Sequence, residues 1–485
     1  VNKFQIDNEE ICNSAPGTFT LGGNLYVTNA CILRGAGASV NVSASLNGNG
    51  SLTFYGNSVS LTGNNTNFTG KVRIGNGIIG SMNLSSEAQL GANPPAFVPD
   101  QLILNRGWLY TTTSFTISNS NRGILIGVND GLFDETAGTT LTLGCPLSSG
   151  ETIVSAGQLT TQAEPAGIVA GQLVKQNSGT LVLTSSNPNF NGGILISGGT
   201  LAVSGAGQLG GGNFGNPFTD NGVFNYSSSA TQTISSAISG SGSITKNGSG
   251  TLIFTGANTL TGSITINGGT LLINGSTGNG AVRAASNGQL GGNGTIGGVT
   301  TIQSGGSLSP GAGIGKLTIN NSVALQSGST TVMEISKAPT ANDQLVVSGT
   351  LTYGGTLVVS NLSGTLAAGD TFKLFQAGSI GGSFNAYSLP ALNAGLGWNM
   401  ANLSSGSISV VPTVSTNLWW NLSGTNLALS WPADYTGWRL QIQTNPVGTG
   451  LGTNWVDVPG STTTNNLALP VDATMGNAFY RLIYP

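Results

Sequence analysis

The side chains able to do chemistry fall into a few groups. Carboxylates cluster at Asp7, Glu9 and Glu10, and again at Asp130, Asp134 and Glu135. Two carboxylates flanking one bond would serve a glycosidase, and several oxygens on one ion would serve a calcium-dependent polysaccharide lyase. Lys175 and Lys246 are cationic candidates for the same chemistry. Their surroundings argue for plainer roles. Asp130 sits in Gly127-Val128-Asn129-Asp130-Gly131, a turn-like context, the N-terminal group reads as solvated surface, and the two lysines recur at matched positions of a repeat, which favours structure. Trp419 and Trp420 offer flat faces on which sugar rings stack, although a small domain also needs aromatics for its core.

Whole classes of chemistry are excluded by composition. The 485 residues contain no His, so Ser-His-Asp and Cys-His catalysis, His-ligated zinc and an imidazole pH switch are all absent. Only 6% of residues are charged, against about 25% in ordinary domains, and the net charge is -3. Fourteen scattered basic residues leave no footprint for nucleic acid. A hydrophobic fraction of 38% is too high for a disordered polar chain. No apolar stretch reaches the ~20 residues of a membrane-spanning helix. No cofactor and no metal is implied. The chain begins at Val1, which fits removal of a signal peptide and export.

The elements that must carry these residues are short strands. Ser263-Ile264-Thr265-Ile266, Thr251-Leu252-Ile253-Phe254 and Thr356-Leu357-Val358-Val359 alternate apolar and polar residues and end at Gly, Asn or Ser. The segments repeat. Gly179-Thr180-Leu181-Val182-Leu183-Thr184 matches Gly250-Thr251-Leu252-Ile253-Phe254-Thr255. Further on, Phe190-Asn191-Gly192-Gly193-Ile194-Leu195-Ile196-Ser197-Gly198-Gly199-Thr200-Leu201 matches Leu260-Thr261-Gly262-Ser263-Ile264-Thr265-Ile266-Asn267-Gly268-Gly269-Thr270-Leu271. A weaker copy begins at Phe68, and Gln-Leu-Gly follows each copy at 89–91, 208–210 and 289–291. The distances between copies are unequal. One such unit cannot bury its apolar face alone, whereas stacked coils can, with Gly and Asn bending strand into strand. A parallel β-helix meets these demands. It also accounts for the low charge, because like side chains then stand ~4.8 Å apart on successive coils.

The run Ile244-Thr245-Lys246-Asn247-Gly248-Ser249-Gly250-Thr251-Leu252-Ile253-Phe254-Thr255-Gly256-Ala257-Asn258-Thr259-Leu260-Thr261-Gly262, continuing to Gly268-Gly269-Thr270-Leu271, resembles the autotransporter-associated β-strand repeat. Gly291-Gly292-Asn293-Gly294-Thr295-Ile296-Gly297-Gly298 and Gly305-Gly306-Ser307-Leu308-Ser309-Pro310-Gly311 are similar to the passenger segment that follows such repeats. The resemblance covers roughly residues 45–411. It implies a right-handed β-helix displayed outside a bacterial cell, a build shared by adhesins and surface fibres. The family's membrane barrel has no counterpart in these residues; if they are the complete chain, secretion by another route, or into a free extracellular form, is expected.

The expected organisation is all-β: capping coils at 1–45, a β-helix at 46–411 and a β-sandwich at 412–485, where five of the seven tryptophans lie. Cys12 and Cys31 are 19 residues apart, about one coil, and stacking would bring them within disulfide reach. Cys145 is then left over, buried or cross-linked to a second chain. Adjacent strand residues face opposite sides, so one of Trp419 and Trp420 is expected at the surface as a glycan contact. Exposed coil ends favour self-association, with Val1, Phe4 and Ile6 or Tyr480, Leu482 and Tyr484 completing a neighbour. The expected function is a secreted, non-enzymatic subunit of a fibre or surface layer, with adhesion or polysaccharide binding as the alternative. A lyase or hydrolase is the least favoured reading. The Asn-x-Ser/Thr sequons at Asn41, Asn67, Asn83, Asn225 and Asn361 arise by chance in so Asn-rich a chain.

Overall fold

The computed structural model describes residues 3–483 apart from 7–9, 14–16, 36–38, 57, 156–157, 163–170, 414–417, 472–473 and 475. Val1, Asp7, Glu9 and Tyr484 lie outside the described residues. The chain forms two compact units, one of Val1–Glu334, Asn342–Ser360 and Phe375–Leu389, the other of Ile335–Ala341, Asn361–Leu374 and Pro390–Pro485.

The first unit is a parallel β-solenoid of about 14 turns. Its strands stack coil on coil into parallel sheets of up to 14 strands. Alternation decides the faces. In Thr251–Phe254, Leu252 and Phe254 point inward and are buried, while Thr251 and Ile253 are half-buried outside. The Gly-Thr-Leu phrases of one repeat lie in adjacent coils and in register: Thr180 on Thr200 and Leu181 on Leu201, then Thr251 on Thr270 and Leu252 on Leu271. Like therefore stacks on like. Outside, Asn267 donates to Asn247 at 2.8 Å and Asn247 to Asn225 at 3.0 Å, a neutral ladder where repeated charges would repel.

Unequal repeat spacing has a local cause. One coil carries an antiparallel hairpin, Glu151–Ser155 with Gln158–Gln162, so the step from Asp134 to Gln176 is 42 residues. The step from Ile194 to Phe218 is only 24. The solenoid tolerates such insertions because register is set in the strands and the corners absorb the extra length.

The expected Cys12–Cys31 disulfide does not form. The first coil is 22 residues long, not 19, because Glu10 pairs with Ile32 and Cys12 therefore lies beside Arg34. Cys12 is exposed, whereas Cys31 faces the interior, where its thiol lies 3.7 Å from the Asn29 carbonyl. Cys145 is a buried thiol, pushed up to about 12 by burial.

The second unit contains two three-stranded antiparallel sheets. One runs Trp419–Ser423, Asn426–Ser430, Asn466–Pro470, and the other Val456–Asp457, Arg439–Asn445, Asn477–Ile483. Leu429, Trp431, Leu440 and Val458 form the core between them, with Leu467 and Leu482 packed against it. A further antiparallel sheet joins Thr371–Lys373, Ser407–Pro412 and Leu396–Asn399.

Candidate functional site

The acidic group of the solenoid does not converge. Asp130 occupies a left-handed turn at φ 70°, and its Oδ1 accepts the Gln172 backbone N–H at 2.6 Å. Asp134 and Glu135 are neighbours in one strand and point to opposite sides of the wall. On the outside, Asp134 Oδ1 accepts Asn177 Nδ2 at 3.0 Å. On the inside, Glu135 is fully buried with Oε2 3.1 Å from Lys175 Nζ. Burial pushes the Glu135 carboxyl up to about 7, opposed by the lysine. At the N-terminus, Glu10 meets Arg34 at 3.4 Å across one coil step. No group of three metal-ligating side chains occurs among the described residues. Two carboxylates facing a single substrate bond are what a glycosidase needs, and Asp134 and Glu135 stand on two sides of one wall.

The two repeat lysines both point inward, where they clamp backbone carbonyls. Lys175 donates to the carbonyls of Gln176 and Asn177, the second at 3.2 Å. Lys246 donates to those of Gly248 and Gly268, the second at 3.0 Å, and stands 5.7 Å from the centre of the Tyr226 ring. No carboxylate faces Lys246 among its hydrogen-bond partners, and burial pulls its ammonium down to about 8. The Gly-Gly-Thr phrase is the counterpart of the lysine. Gly269 adopts φ +63°, and a Cβ there would stand 2.4 Å from the Gly248 carbonyl oxygen and 2.7 Å from Lys246 Nζ.

A set of buried amides completes the interior and escaped the sequence reading. Asn65 Oδ1 accepts Leu46 N–H at 3.0 Å and its Nδ2 donates to the Gln89 carbonyl at 2.6 Å. Asn187 joins Leu147 to Gln208 in the same way, at 2.7 and 2.9 Å. Asn258 joins Ile238 to Ser276, also at 2.7 and 2.9 Å. Each lies two or three residues before the buried Phe68, Phe190 or Leu260 and ties three successive coils together. That spacing was the available signal, but it is hidden in a chain where Asn is common.

The C-terminal tryptophans divide by role. Trp431 and Trp438 are buried, and Trp455 carries the Arg481 guanidinium 4.2 Å above its ring. Trp419 and Trp420 are 52% and 70% exposed, so both reach the surface where one was expected. The reason is position: among the described residues Trp419–Ser423 is an edge strand of its sheet, and the sandwich core stops short of it. Trp420 and Leu422 border a cleft of ≈ 290 Å³ between the two sheets, shared with Leu427, Ile442 and Tyr480. Of the proposed assembly residues, Leu482 and Tyr480 pack against the core of their own module. Phe4 and Ile6 lie in the strand Lys3–Ile6, whose only neighbour among the described residues is Asn24–Val27.

No helix among the described residues is long and apolar enough to cross a membrane.

One family model falls on the same coils. The model of the passenger-associated-transport-repeat matches residues 173–203 and 244–273, the two stretches that hold Lys175 and Lys246 with their Gly-Gly-Thr partners. The adhesin BmaC autotransporter of Brucella suis biovar 1 (strain 1330) is 35% identical over 159 residues, which is 32% of this chain and 4% of that protein. The crystal structure of the Haemophilus influenzae Hap adhesin aligns with 84% of this chain and 64% of its own, at 12% identity and a TM-score of 0.25. The matched region is thus a small part of the Brucella protein and under two thirds of the Haemophilus one. The chain carries two passenger-associated-transport-repeats and is homologous, over 32% of its length, to an autotransporter adhesin.

Proposed function

We propose that this chain is an exported, cell-surface adhesive solenoid that catalyses no reaction. The observation that carries the reading is the fate of its carboxylates. Glu135 is spent on an interior lysine, Asp130 and Asp134 on neighbouring amides, and the outer wall is left to neutral Asn, Ser and Thr ladders. Such a wall presents many weak hydrogen-bonding groups at a fixed ~4.8 Å repeat, which suits multivalent attachment. The similarity to an autotransporter adhesin supports the same reading. The test is attachment of cells, extracellular-matrix proteins and polysaccharides to the immobilised chain, beside release of reducing ends from acidic and neutral glycans. Attachment without cleavage is the expected result. Cleavage lost on Asp130→Ala or Asp134→Ala would overturn it.

A fibre or surface-layer subunit is the finer form of this proposal. The strand Lys3–Ile6 supports it, because it has one parallel neighbour and an open edge among the described residues. Electron microscopy of native material would reveal filaments, and a stable monomer at high concentration would count against them. Exposure of Trp419 and Trp420 supports polysaccharide contact as a second reading, tested by glycan pull-downs with Trp419→Ala and Trp420→Ala.

A further inference from the structure

Exposed apolar side chains concentrate in the C-terminal module, and three of them, Trp419, Trp420 and Leu422, belong to one five-residue strand. All five residues of Trp419–Ser423 are exposed, and among the described residues the strand is one of the two edges of its sheet. Natural sheet edges of this kind are blunted by lysine, proline or a bulge. This strand, Trp-Trp-Asn-Leu-Ser, contains neither lysine nor proline, and its pairing with Asn426–Ser430 runs regularly over all five positions.

We propose that Trp419–Ser423 pairs antiparallel with the same strand of a second copy of this chain, joining two three-stranded sheets into one of six. The strand is self-complementary about Asn421. With Asn421 on the two-fold axis, Trp420 of each copy stands opposite Leu422 of the other, and Trp419 opposite Ser423. Trp420 and Leu422 share the face that borders the cleft, so pairing forms two aromatic–aliphatic cross-strand contacts where each copy alone leaves both side chains in water. On the other face, the two Asn421 amides meet as a neutral hydrogen-bonding pair. A two-fold axis makes the contact isologous and closed, so it yields dimers and not open chains. A sugar ring would stack on the indoles but leave the backbone donors and acceptors of the edge unused, whereas an extended strand satisfies both. The inference stands apart from the adhesive reading, since it concerns only how two copies meet.

The test is charge exchange at the two-fold position in the full chain, read by sedimentation velocity over a concentration series. Wild type is expected to dimerise. Asn421→Lys and Asn421→Asp each place like charges face to face, and each should weaken the dimer by roughly tenfold or more. An equimolar mixture of the two variants should restore it, a result that a merely misfolded variant could not give. A monomeric wild type, variants that associate as wild type does, or a mixture no tighter than its components would each overturn the proposal. So would a monomeric wild type that binds a glycan through Trp420, lost in Trp420→Ala.

Discussion

Lys175 Nζ lies 3.1 Å from Glu135 Oε2 across one coil step, with both side chains fully buried inside the solenoid. The second repeat keeps the lysine and drops the acid: Lys246 answers only to carbonyls and the face of Tyr226. The shared feature is the carbonyl clamp, and the carboxylate is an addition in one coil. Breaking a buried pair by removing one partner typically costs about 3–5 kcal/mol, because a charge is left uncompensated. Lys175→Met is therefore expected to lower unfolding stability by about that amount, and Lys175→Met with Glu135→Leu by much less. Denaturant midpoints measure both. A loss in the double variant equal to the sum of the Lys175→Met and Glu135→Leu losses would show that the pair carries no coupling.

The interior carboxyls give stability a pH dependence of definite sign. Asp220 is fully buried, with Oδ1 accepting the Gly222 N–H at 3.0 Å, and burial pushes it up to about 6. Asp343 is likewise pushed up to about 6. A carboxyl whose folded pKa lies above its unfolded value holds its proton more tightly when folded. Its stabilisation is complete below about pH 4 and is lost as pH rises through 6. Asp220→Asn should remove on the order of 2 kcal/mol of that fall. Chemical unfolding at pH 4 and pH 7 gives the two slopes, and identical slopes in wild type and variant would exclude the assignment.

Asn258 is expected to matter more than its size suggests. Truncation to Ala leaves the Ile238 N–H without its buried partner, at about 1–3 kcal/mol, while the Ser276 carbonyl keeps the backbone N–H of residue 258 at 3.1 Å. Thermal melting of Asn258→Ala is the check. A shift no larger than that of an exposed ladder substitution such as Asn267→Ala would remove the amide from the list of supports.

Two glycines with the same backbone sign should respond differently to Ala. Gly138 adopts φ +75° with open space around a Cβ, so only the left-handed penalty of about 1–2 kcal/mol applies. Gly269, at φ +63°, adds the collision with the Gly248 carbonyl and the Lys246 ammonium. Gly269→Ala is therefore expected to cost the more of the two, by unfolding in urea, and near-equal costs would discount the clamp geometry.

Without a disulfide, reducing agent should leave the melting temperature unchanged. A maleimide probe should label Cys12 in the folded chain, and Cys31 and Cys145 only after unfolding. Folded-state labelling of the last two would contradict their burial.

The solenoid was legible because its signals are local and repeated. Alternation in Thr251–Phe254 and the paired Gly-Thr-Leu phrases each state a strand and its neighbour. Coil length was not legible. Nothing in the residues between Cys12 and Cys31 distinguishes a 19-residue turn from the 22-residue one observed, and three residues carry the cysteines past each other and onto opposite faces. The bridging amides were invisible for a different reason. Asn187 and the ladder residue Asn247 are the same residue type, and only the direction of the side chain separates a buried staple from a surface rung. The tryptophan strand was half read: alternation places its two faces correctly, but where a core ends is a property of the packed sheets, not of the strand.

The staples at Asn65, Asn187 and Asn258 bear on how the molecule answers a pulling force. Each amide is riveted to the coil before it and the coil after it, so a terminus under tension cannot peel away single rungs at those places. Detaching one coil there loosens two others, and rupture should proceed in multi-coil slips separated by stretches of easy peeling. A tether built this way resists in steps, and stepwise extension in an optical trap, smoothed in Asn258→Ala, would trace the rivets along its length.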